Sequence, residues 1–183
     1  MPNVITHGLM ANGVVQLLEQ SEISTAIEQN PRLFFFGSNG PDYLFYYRYF
    51  SSDEDAKSMR SLGNLFHDEY INEFYTAAKN HLNTLKGSQD YPLALAYVAG
   101  HLCHWALDSL AHPYIFHKTG LIKGDTRYDH FRMEAAIDTL VVKRVKNKKF
   151  REVPSYKFVE LKPKERVDIA QVYQAIVKEV LGQ

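Results

Sequence analysis

The chain is poor in the features that stabilise or target many small proteins. Cysteine occurs once, at Cys103, so no disulfide can form within the chain. Neither charge is in surplus: 21 Lys and Arg face 21 Asp and Glu. That balance gives no field to hold a polyanion or an anionic membrane surface, and no stable nucleic-acid complex is expected. No apolar run reaches the roughly 20 residues of a membrane span. The opening MPNVITHGLMANG has neither the basic region nor the apolar stretch of a secretory signal. These absences together predict a soluble, cytoplasmic protein. No internal repeat, low-complexity tract or long alternation of apolar and polar residues is present.

What is present is helical periodicity. The 183 residues suffice for one domain with a sizeable core, and one domain over 1–183 is the expectation. Val4, Leu9, Val14, Leu17 and Leu18 fall at helical spacing. SEISTAIEQ reads as a short helix capped by Ser21 and stopped by Pro31. The stretch PRLFFFGSNGPDYLFYYRYF has aromatics on both sides of a turn cluster, and predicts a buried aromatic loop or short strands. Leu62, Leu65, Phe66, Ile71, Phe74 and Tyr75 mark the apolar face of one helical run, with Gly63 as a candidate break. The segment from about 92 to 112 is apolar nearly all round, which predicts a central helix ending at Pro113. An amphipathic helix follows over TRYDHFRMEAAIDTLVVKRVKN. A C-terminal part, 147–183, reads as an extended connector and a last helix. The fold class is all-α, a multi-helix bundle.

The central helix carries an unusual load. In GHLCHWALDSLAHP, His101, His104, Asp108 and His112 are spaced by three, four and four residues, so all four share one face. Three imidazoles and a carboxylate cannot be left desolvated and unpaired at low cost. Pairing among themselves leaves ring nitrogens over. A divalent metal removes the difficulty, because neutral imidazole and carboxylate are good zinc ligands. His104 and Asp108 can grip one ion, and His112 can reach a second. His130 and Glu134 in DHFRMEAAID repeat the one-turn spacing. His67 sits beside Leu65 and Phe66, His7 on the first helix, and Asp42 in the turn between the aromatic runs. His81 and His117 have no spaced partner and read as surface residues. Cys103 lies off the His/Asp face and reads as a small buried hydrophobe.

In this order the residues resemble the zinc-dependent phospholipase C and S1/P1 nuclease superfamily. The resemblance rests on HWALDSLAHP followed by the His-xxx-Glu of HFRME, with GPD and a histidine upstream, and it spans about residues 7–134. It implies an all-α bundle around a cluster of two to three zinc ions. Asp42, His67, His104 and Asp108 would hold one ion, and His112, His130 and Glu134 a second. Asp108 would bridge to a third, shared with His7 and the N-terminal amine and carbonyl. The implied activity is hydrolysis of a phosphoester (a phospholipid, a nucleotide or a small phosphodiester), with Asp42 orienting or deprotonating the attacking water.

His101 lies outside the family pattern. The N-terminus also departs from it: secreted members use a processed terminal residue as a ligand, whereas here Met1-Pro2 stands a few residues before His7. Arg32, Arg48, Arg127 and Arg132 are candidate phosphate contacts, and the sequence does not choose among them. Two rivals remain. An HD-type phosphohydrolase would use His67-Asp68 but leaves His112, His130 and Glu134 without a role. A non-catalytic metal-binding scaffold of the same fold would close its metal sites. Nitrogen and oxygen ligands would also accept iron or manganese. Oligomeric state is not legible.

Overall fold

The computed structural model describes residues 4–122, 124 and 126–182, and every regular element among them is helical. The order is α1 (Val4–Leu17), α2 (Glu22–Gln29), α3 (Pro31–Gly37), a 3-10 turn (Gly40–Tyr46), α4 (Glu54–Asp68), α5 (Ile71–Leu85), α6 (Tyr91–Thr119), α7 (Thr126–Lys146), two short 3-10 turns (Phe150–Glu152 and Ser155–Phe158) and α8 (Pro163–Leu181). Local chemistry sets many of the boundaries. Ser21 caps α2 in a reciprocal capping box with Ser24. The Asp53 side chain accepts the Ala56 N–H at the start of α4. Pro31, Pro92 and Pro163 sit at the first or second position of their helices, where no N–H is needed.

Helix α6 is the axis of the bundle and packs on α1, α2, α3, α5, α7 and α8. Its apolar N-terminal half, 91–101, is covered on all sides, while Leu102, Trp105, Leu110 and Tyr114 of its second half remain exposed. The largest core lies between α4, α5, α6 and α8, around Phe66, Phe74, Tyr97, Val172, Tyr173 and Ile176. A second cluster joins α1, α2, α3 and α6 through Ala11, Ile27, Phe34 and Ala96. A third sets Ile5 and Leu9 of α1 against Val142 of α7. Where α3 meets α6, backbone approaches backbone: a Cβ on Gly100 would fall 2.1 Å from the Phe34 carbonyl oxygen, and one on Gly37 2.3 Å from that of Tyr97.

Four sequence expectations are corrected. The aromatic stretch forms α3 and a 3-10 turn rather than a loop or strands, because Pro31 starts a helix whose Leu33 and Phe34 reach the core. The run from 54 to 85 is two helices that break at Glu69-Tyr70, not at Gly63, which packs against the Phe45 ring. Pro113 does not end α6, which runs on to Thr119. A proline inside a helix costs about 3 kcal/mol. Here Pro113 faces solvent, while the following turn is held by fully buried Ile115 and by Phe116 stacked on the His112 ring. The segment after α7 is turned into two 3-10 turns rather than extended.

Candidate metal centre

Five elements deliver side chains to one place. Helix α6 brings His104, Asp108 and His112, α7 brings His130 and Glu134, α4 brings His67, α1 brings His7, and the first 3-10 turn brings Asp42. His7, Asp42, His104, Asp108, His130 and Glu134 are buried, and His67 and His112 are half-buried. Gly40 makes the approach of Asp42 possible. Its backbone has φ +53°, and a Cβ there would lie 2.1 Å from the His104 ring.

The contacts form one continuous network. His67 Nε2 is 2.8 Å from Asp42 Oδ1 and 3.3 Å from His104 Nε2. Asp108 stands at the centre: Oδ1 is 3.3 Å from His7 Nε2, while Oδ2 is 3.3 Å from His104 Nε2 and 3.8 Å from His112 Nδ1. Glu134 Oε1 then takes His130 Nε2 at 2.8 Å and His112 Nε2 at 3.6 Å. Three sets place their nitrogen and oxygen atoms within 4.8 Å of one another: His7, Asp42 and His104; His67, His104 and Asp108; and His112, His130 and Glu134. The N-terminal amine and carbonyl of the expected third site lie outside the described residues.

The donor chemistry fits a metal. His67 Nδ1 donates to the Gly63 carbonyl at 2.9 Å, which leaves Nε2 as the lone-pair nitrogen of the neutral ring. That nitrogen faces a carboxylate and a second imidazole nitrogen, a setting that suits a bound cation. Burial lowers the His67 pKa, but the Asp42 carboxylate and the Gly63 carbonyl outweigh it, and the net displacement is upward. Deeper in the cluster, burial, helped by the neighbouring imidazoles and opposed by the Asp108 carboxylate, drives His104 well below its ordinary value and His130 down to about 4, so both rings are neutral. Burial acts to raise the Asp108 pKa, yet the imidazoles of His7, His104 and His112 hold it well below the carboxylate range. Both nitrogens of His7, both oxygens of Asp108 and Nδ1 of His130 are buried without a hydrogen-bond partner. Native interiors rarely leave so many polar atoms unbonded in one spot, and zinc takes such a set of neutral imidazoles and carboxylates as ligands.

The cluster opens into a cavity of about 1130 Å3. Phe45, Tyr46, Tyr49, Trp105, Phe116 and Phe131 contribute aromatic surface to it. The aromatic stretch is therefore divided, with Phe34 and Leu44 in the core and Phe45, Tyr46 and Tyr49 on the cavity. Of the arginines singled out from sequence, only Arg127 lines the cavity. Arg32 instead clamps Glu165 of α8 and Arg48 pairs with Asp53. Arg60 also lines it and had no sequence signal until its face of α4 was known.

His101 belongs to none of the three sets. It stacks on Phe74 with ring centroids 4.3 Å apart, its Nδ1 lies 3.0 Å from the Tyr75 hydroxyl, and burial pushes its pKa down to about 3. Asp68 lines the cavity wall but joins none of the sets. Cys103 is half-buried against the second core cluster, and burial lifts its thiol to about 11, which leaves it inert. His117 is exposed and His81 half-buried.

Asp138 was not legible as part of the site. It is fully buried on α7, and its Oδ1 accepts from both the backbone N–H (2.9 Å) and the hydroxyl of Thr6. It caps the first turn of α1 from another helix and so fixes the residue before His7. The signal in hindsight is spacing: His130, Glu134 and Asp138 continue one face in steps of four.

An all-helical bundle whose axial helix, with four others, encloses a histidine and carboxylate cluster at the floor of an open cavity defines a metal-binding helical protein. The sequence pattern of the family described as zinc dependent phospholipase C matches residues 6–180, and the chain belongs to that family. Comparison with curated proteins and with solved structures gave no match. No helix among the described residues is long and apolar enough to cross a membrane.

Proposed function

We propose that the protein is a zinc-dependent phosphoester hydrolase of the phospholipase C type. The observation that carries this reading is the Asp108-centred network, with its unbonded buried donor atoms, opening directly onto the cavity. Asp42, His67, His104 and Asp108 would hold one zinc, and His112, His130 and Glu134 a second. His7 and the other oxygen of Asp108 would serve a third with the N-terminus. The whole chain, 1–183, would form this one metal-binding domain. Bound zinc supplies Lewis acidity toward phosphate oxygens and makes water a nucleophile near neutral pH.

The chain's own groups do the rest. Asp42 is buried against His67, which itself lines the cavity, and a carboxylate there can orient water and accept its proton. The Gly63 carbonyl keeps His67 in the tautomer that presents Nε2. Aromatic walls exclude bulk water and strengthen the electrostatics at the floor. Elemental mass spectrometry on protein purified without chelator or histidine tag tests the reading. Two to three equivalents of zinc, followed by turnover of a phosphodiester or phospholipid, are expected. No metal after zinc is added back would remove the hydrolase reading. Metal held with every ligand position closed, and no turnover, would favour a scaffold.

A further inference from the structure

Two guanidinium groups line the cavity, and neither has a task there in the reaction as proposed. Arg60 lies on α4 and Arg127 on α7. Their surroundings repeat the same spacing. On α4, Arg60, Asn64 and His67 line the cavity at steps of four and three; on α7, Arg127, Phe131 and Glu134 do the same. Each arginine is therefore seven residues, about 10 Å along the helix axis, from a residue of the metal cluster. Both precede that residue in sequence. Helical side chains lean toward the helix N-terminus, so each guanidinium is carried further from the cluster residue on its own helix.

Both are also held in place without a contact ion pair, although the Asp53 carboxylate acts on Arg60 from further off. Arg60 Nη2 donates to the Ser51 carbonyl at 3.1 Å, while Nη1 is buried with no partner. The Arg127 guanidinium lies over the Phe131 ring at 5.4 Å. Among the described residues, no carboxylate is at ion-pair distance from either, in contrast to Arg32 and Arg48. A buried, unsatisfied guanidinium N–H is costly. The parts of both side chains that line the cavity can meet a ligand oxyanion, and the planar fork of arginine suits phosphate.

We infer that Arg60 and Arg127 form a subsite for a second phosphate, some two helical turns from the phosphate at the metal floor. This rests on the hydrolase reading and narrows it. The favoured substrate is a phospholipid whose headgroup carries a further phosphate, rather than one with a zwitterionic or uncharged headgroup. A nucleic-acid strand fits less well, because the chain as a whole has zero net charge.

Binding of two soluble headgroups that differ only in the second phosphate tests this apart from catalysis. Isothermal titration would compare inositol 1,4-bisphosphate with inositol 1-phosphate on wild-type protein carrying its native metal, and on R60Q and R127Q. Zinc content would be measured for each protein. The bisphosphate should bind about tenfold or more tightly than the monophosphate, as two charge-assisted contacts imply. That ratio should collapse toward one in both variants. Equal affinities in the wild type, a ratio that survives both substitutions, or no binding of either headgroup would overturn the subsite. Tighter binding of a 5′-phosphorylated dinucleotide than of the bisphosphate would overturn the lipid assignment. An arginine-dependent ratio in a protein that turns over no phosphodiester would keep the subsite and remove the hydrolase reading instead.

Discussion

One substitution, glycine to alanine, should have opposite effects at two positions of this fold. At Gly100 the added methyl carbon would sit 2.1 Å from the Phe34 carbonyl oxygen and 3.0 Å from the Ser38 nitrogen, where ordinary contact begins near 3.4 Å. The obstacles are backbone atoms, so no rotamer change can relieve the clash, and α3 and α6 would have to part by more than an ångström. Overpacking of a filled interior typically costs 1–3 kcal/mol. Against it stands a helix-propensity gain of about 1 kcal/mol. Because α3–α6 is the broadest helix contact among the described residues, the rigid clash should win, with a net loss of about 1–2 kcal/mol. At Gly13, inside α1, a Cβ meets nothing within 4 Å. There the propensity term acts alone, and Gly13→Ala should stabilise by about 0.5–1 kcal/mol. Urea unfolding of both variants, compared at a common m-value, reads the signs directly. Gly100→Ala within about 0.5 kcal/mol of wild type would refute the close backbone crossing on which the placement of His101 and His104 depends.

Other consequences can be measured at the cluster. Asp108→Asn should lose zinc and activity together, because its two oxygens face different imidazoles; activity surviving with full metal content would refute the shared role. Asp138→Ala should destabilise by about 1–3 kcal/mol by leaving the buried Thr6 N–H and hydroxyl unpaired. Asp138→Asn, which keeps an acceptor, should recover most of that loss in the same unfolding assay; an equal loss in both would mean that the charge rather than the acceptor matters. Asp68→Asn should leave zinc content unchanged in elemental analysis, whereas loss of metal would favour the HD-type arrangement.

Several features were legible because they follow from spacing along one helix. His104, Asp108 and His112 share a face at any tertiary arrangement, as do His130 and Glu134, and the apolar first half of the axial helix must be buried. Boundaries written in local chemistry, such as the Ser21 cap and Pro31, were legible for the same reason. Pro113 was misleading, because its local cost is met by tertiary burial of Ile115 and stacking of Phe116. The break at Glu69-Tyr70 was hidden because the apolar face continues on both sides of it.

By itself, then, the sequence determined the helical class, the two helices that carry the candidate ligands and the chemistry of their shared faces, since periodicity and residue type act within a few turns. Only the tertiary structure decided which oxygen of Asp108 meets which imidazole, that Gly40 lets Asp42 reach His104, that Asp138 caps α1, and that Arg60 and Arg127 face the same cavity. Those relations join residues up to 132 positions apart. They are fixed by how the helices pack, and no spacing along a single helix can encode them.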